Sequence, residues 1–298
     1  MCRHLAYVGP PITLASLLYE PPHSLVHQSY APRRQRYGTV NADGYGVAWY
    51  EPSVRPEPAR YRRAGPIWAD RSLQSMAGVV RSGAIMAAVR SATPPAPAEE
   101  SGAAPFTSGP WLFSLNGVVS CDLVELRRTI SDRRQIGIEG SSDGELIFAL
   151  LLDRLDRGCR PSDALAELVT TIPGRLNVLL SDGQTIWAIA WGDTLTWRRV
   201  PAPADSPGGA DSPGGAGSSG GAARAGSPAR AGSPARADNH DSAARAGSPA
   251  RAGVVVASEA LDDDAGWVAV ADRCLLVASG AGCDAVALPL PTPEGAIP

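Results

Sequence analysis

The chain has 298 residues and a formal charge of −3, and all 27 of its basic residues are arginine. The lack of lysine excludes a Schiff-base lysine, a pyridoxal phosphate anchor and a P-loop lysine, and neither GxxxxGK[ST] nor GxGxxG occurs. The charge balance gives no reason to expect nucleic acid, and no apolar run approaches the roughly 18 residues of a membrane span.

The chain opens MCRHLAYV, a strand pattern that begins at the second residue. Removal of Met1 would leave Cys2 carrying a thiol and a free α-amine, with reference pKa values of about 8.5 and about 7.7–8.0, so the amine can take the thiol proton directly or through one water. Met aminopeptidases act before small residues such as Cys. The same segment lacks the apolar stretch of a signal peptide, which predicts a cytoplasmic protein with reduced thiols. Five cysteines without CxxC and four histidines without HExxH give neither a zinc spacing nor a disulfide framework, and no metal or organic cofactor is expected.

Further strands are expected at 45–50, 84–92, 111–119, 175–182, 185–192, 194–200, 254–261, 267–272 and 274–280, all rich in Val, Ile, Leu and Trp. Helices are expected near 13–19, 70–81, 121–133, 142–157 and 162–171. The fourth is the clearest, with Ser141 or Ser142 as its cap and Leu146, Ile147, Leu150, Leu151 and Leu155 at helical spacing. Antiparallel runs with separate helices predict an α+β layered fold.

Residues 201–252 interrupt this pattern. Ala, Gly, Ser and Pro fill 41 of the 52 positions, with no aromatic residue and no Leu, Ile, Val or Met. Such a segment cannot offset its ordering entropy by burial, so a disordered insert is expected, and its duplicated DSPGGA and AARAGSPAR units point to tandem duplication. Its five Arg face four Asp, so it is not read as a tether for an acidic partner. The other 246 residues suffice for one good core. Strand pairs at 175–199 and 253–278 flank the insert, which is expected to join two strands of one sheet. The expected organisation is one domain over 2–280, with 281–298 as a C-terminal tail.

Four patches suit amide cleavage if the fold brings them together. Beside Cys2 stands Arg90, in VRSAT at the end of an apolar strand, where a guanidinium can hold a carboxylate bidentately or simply end the strand at the surface. Asn116-Gly117 follows WLFSL and offers two N–H donors for a developing oxyanion, or forms an ordinary hairpin turn. Asp143, in SSDGE at the start of the clearest helix, can meet a ligand ammonium or cap the helix. A fifth patch, NADGYGVAW from Asn41, leads from a Gly-rich turn into a strand and either shapes the pocket wall or is only a turn.

Taken in this order, an N-terminal Cys, NADGYGVAW, VRSAT, LNG and SSDGE resemble the class II glutamine amidotransferases, a branch of the N-terminal nucleophile hydrolases. MCRH with NADGYGVAWY and AAVRSAT looks most like the stand-alone amidohydrolases of ergothioneine biosynthesis, over about residues 2–200 and 253–280. The resemblance implies a four-layer αββα sandwich. It implies Cys2 as nucleophile with its α-amine as base, and an oxyanion hole from Asn116 and Gly117. Arg90, with Thr93, would hold the α-carboxylate of a γ-glutamyl group and Asp143 its ammonium. Pro94 follows Thr93 where many glutaminase domains carry His. The implied substrate is a small γ-glutamyl molecule, γ-glutamyl-hercynylcysteine sulfoxide. Tyr37, Tyr45 and Trp49 are candidate walls for its leaving group. Two rivals are a glutaminase subunit feeding a separate synthase and a non-catalytic γ-glutamyl-binding protein. Oligomeric state and the roles of Arg3 and His4 are not readable from the sequence.

Overall fold

Leu5 and Tyr7 occupy one face of the first strand and Ala6 and Val8 the other, and all four are buried, so this strand needs a cover on both sides. The computed structural model describes residues 2–92, 97–201 and 252–289. Thr93 and nearly all of the 201–252 insert lie outside them.

The first half of the chain forms β1 (Arg3–Thr13), α1 (Ala15–Leu18), α2 (Leu25–Tyr30), β2 (Tyr45–Trp49), β3 (Ala59–Arg63), α3 (Arg71–Ala77), β4 (Arg81–Val89), β5 (Phe106–Ser108) and β6 (Trp111–Val119). The helical segments α4 (Leu123–Arg128), α5 (Asp132–Gln135), α6 (Asp143–Asp156) and α7 (Pro161–Thr171) come next. The remaining strands are β7 (Gly174–Ser181), β8 (Thr185–Ala190), β9 (Thr196–Val200), β10 (Gly253–Ala257), β11 (Val268–Ala269), β12 (Cys274–Ser279) and β13 (Gly282–Ala287). They build two antiparallel sheets, one ordered β11-β9-β10-β1-β4-β2-β3 and the other β13-β12-β8-β7-β6-β5.

Three apolar layers hold the sheets and helices together. Leu14, Leu17, Leu25 and Leu73 cover Leu5, Tyr7, Ile85 and Val255 on the outer face of the first sheet. Ile147 and Leu151 of α6 and Leu165 and Leu168 of α7 cover Phe113, Val178 and Leu180 on the outer face of the second. Between the sheets, Ala6, Val8 and Met86 meet Leu112, Leu179, Ile186 and Leu276. The fold is thus α+β, a four-layer αββα sandwich.

Several elements differ from the sequence expectation for identifiable reasons. The helix expected over 121–133 is split into α4 and α5, because Ser131 donates both its N–H (2.8 Å) and its hydroxyl (2.5 Å) to Asp153 and breaks the run. α2 has six residues, too few to display a helical period, and starts where Ser24 accepts the His27 N–H. β3 reads ARYRR, an edge strand whose partly exposed side chains carry no apolar alternation. Residues 185–200 are not a hairpin: the chain turns at Gly192 (φ 84°) and β9 crosses into the first sheet. β13 lies within the expected C-terminal tail and extends the second sheet by an edge strand. Val200 and Gly253 are register partners, so residues 201–252 join neighbouring strands of one sheet. No helix among the described residues is long and apolar enough to cross a membrane.

Buried polar contacts cross the layer between the sheets, from Tyr50 OH to Ser181 O on β7 at 3.0 Å and from His4 Nδ1 on β1 to Ser114 Oγ on β6 at 3.0 Å. Burial, reinforced by the neighbouring Arg3 cation, pushes the imidazole down to about 3, so His4 is neutral in the folded protein. Its folded value lies below its unfolded one, so the unfolded chain binds the extra proton at intermediate pH. The corresponding stability is complete above the unfolded value of about 6.5 and is lost as pH falls. Urea unfolding should therefore show stability falling below about pH 6.5. In His4→Gln the slope should be shallower by up to one proton, about 1.4 kcal/mol per pH unit, and parallel slopes would remove His4 as the cause. Leu179→Ala, in the layer between the sheets, should cost about 2–5 kcal/mol in the same measurement.

Candidate active site

Strand pairing brings the first two predicted residues together. Arg3 is the register partner of Val89, so Cys2, just before β1, and Arg90, just after β4, leave the sheet at the same end. The chain beyond β4 is then clamped by the NADGYG turn. Arg90 N–H donates to Gly44 O (2.7 Å), Asp43 N–H donates to Arg90 O (2.9 Å), and Ala92 N–H donates to the Asp43 carboxylate (2.8 Å). Gly44 makes this possible at φ 136°, a conformation that residues with a Cβ rarely adopt. Arg90 is not a surface residue. It is 9% exposed, donates from Nη1 to Pro97 O at 2.9 Å, and lies so close over Gly102 that a Cβ there would sit 2.8 Å from its guanidinium carbon.

Asn116 and Gly117 lie inside β6 opposite Asn177 and Leu176, which excludes a hairpin turn. A Cβ on Gly117 would stand 1.8 Å from Arg175 O, so only glycine permits this approach of β7. Asn116 is fully buried, and neither its Nδ2 nor its Oδ1 has a hydrogen-bond partner among the described residues. Its position alternates with Ser114 and Leu112, the residues of β6 that face the first sheet, and His4 and Cys2 hold the matching alternate positions at the start of β1.

The N-terminus of α6 supplies the fourth group. Ser142 is the cap, accepting the Glu145 N–H, and the Glu145 carboxylate reaches back to the N–H groups of Glu139 (2.6 Å) and Gly140 (2.8 Å). Asp143 is not the cap, although its Oδ1 accepts the N–H of Gly144 in the first turn at 2.8 Å. Its carboxylate accepts the N–H of Val119 at 3.2 Å, fixing the start of α6 to the end of β6.

Cys2, Arg90, Ser91, Gly117, Ser141 and Asp143 all line one cavity of about 420 Å³. Phe106, Leu115 and Leu123 form an apolar part of its wall. The cavity thus carries a cation and an anion on different elements, and a thiol and a strand backbone line it as well. Burial raises the Cys2 thiol above its ordinary value, and Asp143 adds to this, whereas a backbone hydrogen bond from Ser91 and the Arg90 charge favour the thiolate. Among the described residues no three His, Cys, Asp or Glu side chains are grouped to hold a metal ion.

The three aromatic residues expected at the leaving-group wall lie elsewhere. Tyr45 points into the helical layer and donates to Asp70, Trp49 packs in that same layer, and the exposed Tyr37 stacks under Arg175. Phe106 is the aromatic lining residue instead, and it stands in the short β5, which has no strand signature of its own. Sequence reasoning also missed Asp43 and Glu145 as supports of the site. The Ser142-x-x-Glu145 capping box was available as a signal for Glu145, whereas the reach of Asp43 to residue 92 is a tertiary contact.

The model of the family "Glutamine amidotransferases class-II" matches residues 17–204. The gamma-glutamyl-hercynylcysteine sulfoxide hydrolase of Mycobacterium tuberculosis is 35% identical over 289 residues, covering 97% of each chain. Its namesake from Mycolicibacterium smegmatis is 40% identical over 197 residues, 66% of this chain and 82% of that one. A solved glutamine aminotransferase class-II domain protein from Silicibacter pomeroyi, 23% identical, superposes with a TM-score of 0.57 over 97% of this chain and all of its own. With a family match across β2, β4, β6 and α6, and a relative aligned over nearly its whole length, the chain belongs to the class II glutamine amidotransferases.

Proposed function

We propose that this protein is a cysteine amidohydrolase that cleaves the γ-glutamyl amide of γ-glutamyl-hercynylcysteine sulfoxide, giving hercynylcysteine sulfoxide and glutamate in ergothioneine biosynthesis. The observation that carries this reading is the single cavity shared by Cys2, Arg90, Gly117 and Asp143. A γ-glutamyl head is a zwitterion. Arg90 takes its α-carboxylate through a planar fork of donors, and Asp143 takes its ammonium. That grip places the γ-carbonyl beside Cys2. Two relatives bearing the hydrolase name at 35% and 40% identity support the choice of substrate.

In this mechanism the α-amine freed by removal of Met1 takes the thiol proton, and the Cys2 thiolate attacks the γ-carbonyl. The oxyanion is held by Asn116 Nδ2 and the Gly117 N–H. The α-ammonium returns its proton to the leaving amine, a γ-glutamyl thioester remains on Cys2, and water releases glutamate. The apolar wall at Phe106 and Leu123 receives the leaving group. The five free cysteines fit a reducing cytoplasm as the site of action.

Intact-mass measurement of the purified protein should show loss of Met1, and glutamate should be released from the sulfoxide substrate much faster than from glutamine. Preference for glutamine would replace this reading with a glutaminase subunit, and a retained Met1 without turnover would replace it with a binding protein. Arg90→Lys should raise KM about tenfold or more through loss of the bidentate contact, while Cys2→Ala should abolish turnover. Asp43→Ala removes the carboxylate that holds Ala92 and should lower kcat/KM about tenfold, with thermal unfolding as the check that the fold is intact.

A further inference from the structure

Arg3 is fully buried, and its Nε, Nη1 and Nη2 have no hydrogen-bond partner among the described residues. A guanidinium in this state is costly unless other charges compensate it. Burial lowers the Arg3 pKa, and two carboxylates oppose this, Glu259 chiefly and Asp193 second, Glu259 being brought to the start of β1 by the pairing of β10 with it. Glu259, just after β10, is 1% exposed and grips the N–H groups of Arg33 and Arg34 at 3.1 and 2.6 Å. Asp193, in the turn between β8 and β9, is also buried, and its Oδ2 lacks a partner. Both are tied to the nucleophile's strand through Ser258. Ser258 N–H donates to His4 O (2.9 Å), His4 N–H donates to Ser258 Oγ (3.0 Å), and Thr194 Oγ1 donates to Ser258 O (2.8 Å).

Strand alternation puts Arg3 on the opposite face of β1 from Cys2, and Arg3 does not line the cavity. It therefore does not touch substrate. Once Met1 is removed, the Cys2 α-amine sits on the Cα that one peptide joins to Arg3. We infer that Arg3, Asp193 and Glu259 form a buried charge cluster that sets the protonation of the Cys2 α-amine, with Arg3 keeping that amine unprotonated near neutral pH. This rests on the proposed role of the amine as base.

The cluster as built carries one cation and two carboxylates. Neutralising Arg3 leaves two uncompensated carboxylates behind the amine and favours the ammonium; neutralising Asp193 balances the cluster and favours the free amine. The other groups facing this position are the Cys2 thiol, the neutral His4 on β1, Arg90 from β4 and Asp143 from α6. Neither substitution changes them.

The test is the pH profile of kcat/KM for γ-glutamyl-hercynylcysteine sulfoxide with the full chain, each variant first checked by intact mass for loss of Met1. Arg3→Met should move the acid limb up by about one pH unit, so activity falls about tenfold near pH 6.5 yet stays within about threefold near pH 9. Arg3→Lys should keep the limb in place. Asp193→Asn should move it down. Limbs that stay fixed, move in the same direction, or give way to a uniform loss at every pH overturn the inference and leave a structural role. If Arg3→Met does not fold, the direction of the Asp193→Asn shift decides. A wild-type protein without turnover would overturn the proposed function itself, whereas turnover with unmoved limbs overturns only the charge cluster.

Discussion

The position of β1 constrains everything else in this molecule. It lies inside a sheet between β4 and β10, with one face under helices and the other against a second sheet, and its buried N-terminal end runs straight into Cys2, the proposed nucleophile. A terminal residue is ordinarily among the least ordered of a chain. Here the ladder to β4 reaches Arg3, one residue short of Cys2, so the thiol is placed by strand geometry and not by a loop. Antiparallel pairing then delivers Arg90 to the same end without further design. The second sheet is locked to the first by apolar packing and by His4 on Ser114, and it brings Gly117 and the start of α6 to face them.

The supports around the site share one physical device, a carboxylate that closes a turn by accepting backbone N–H groups. Asp43 does this for residue 92, Glu145 for residues 139 and 140, Asp143 for residue 119, and Glu259 for residues 33 and 34. Each fixes backbone near the cavity or near the strand that follows Cys2. Charge-assisted hydrogen bonds of this kind are stronger than neutral ones, so these turns are held firmly.

How much of this was legible in the sequence depended on the range of the interaction involved. Strands such as 84–92 and 111–119 and the helix at 142–157 announce themselves through local periodicity, and their order along the chain exposed the family. Asn116-Gly117 shows the opposite case. The dipeptide is a strong turn signal locally, but pairing with Asn177 and Leu176 holds it in mid-strand, and no local rule contains that partner. The aromatic wall went the same way: Tyr45 and Trp49 sit on the strand beside the site, but alternation turns them toward the helices, and Phe106 serves from a three-residue strand too short to be recognised. Asp43 accepts from a partner far away in sequence, Ala92, so its residue type alone could not have disclosed what it does.

The pairing of Val200 with Gly253 bears on how this chain tolerates change. Gly253 stands beside Gly9 and Tyr7, whereas Cys2 leads into the opposite end of β1. The connection between β9 and β10 therefore departs and returns at the end of the sheet remote from Cys2, with its two ends held at the spacing of adjacent strands. The entropy of closing such a connection grows only logarithmically, by about 0.6 kcal/mol per doubling of length. Lengthening the chain there by repeat duplication therefore costs folding little and falls away from the end of β1 that carries Cys2.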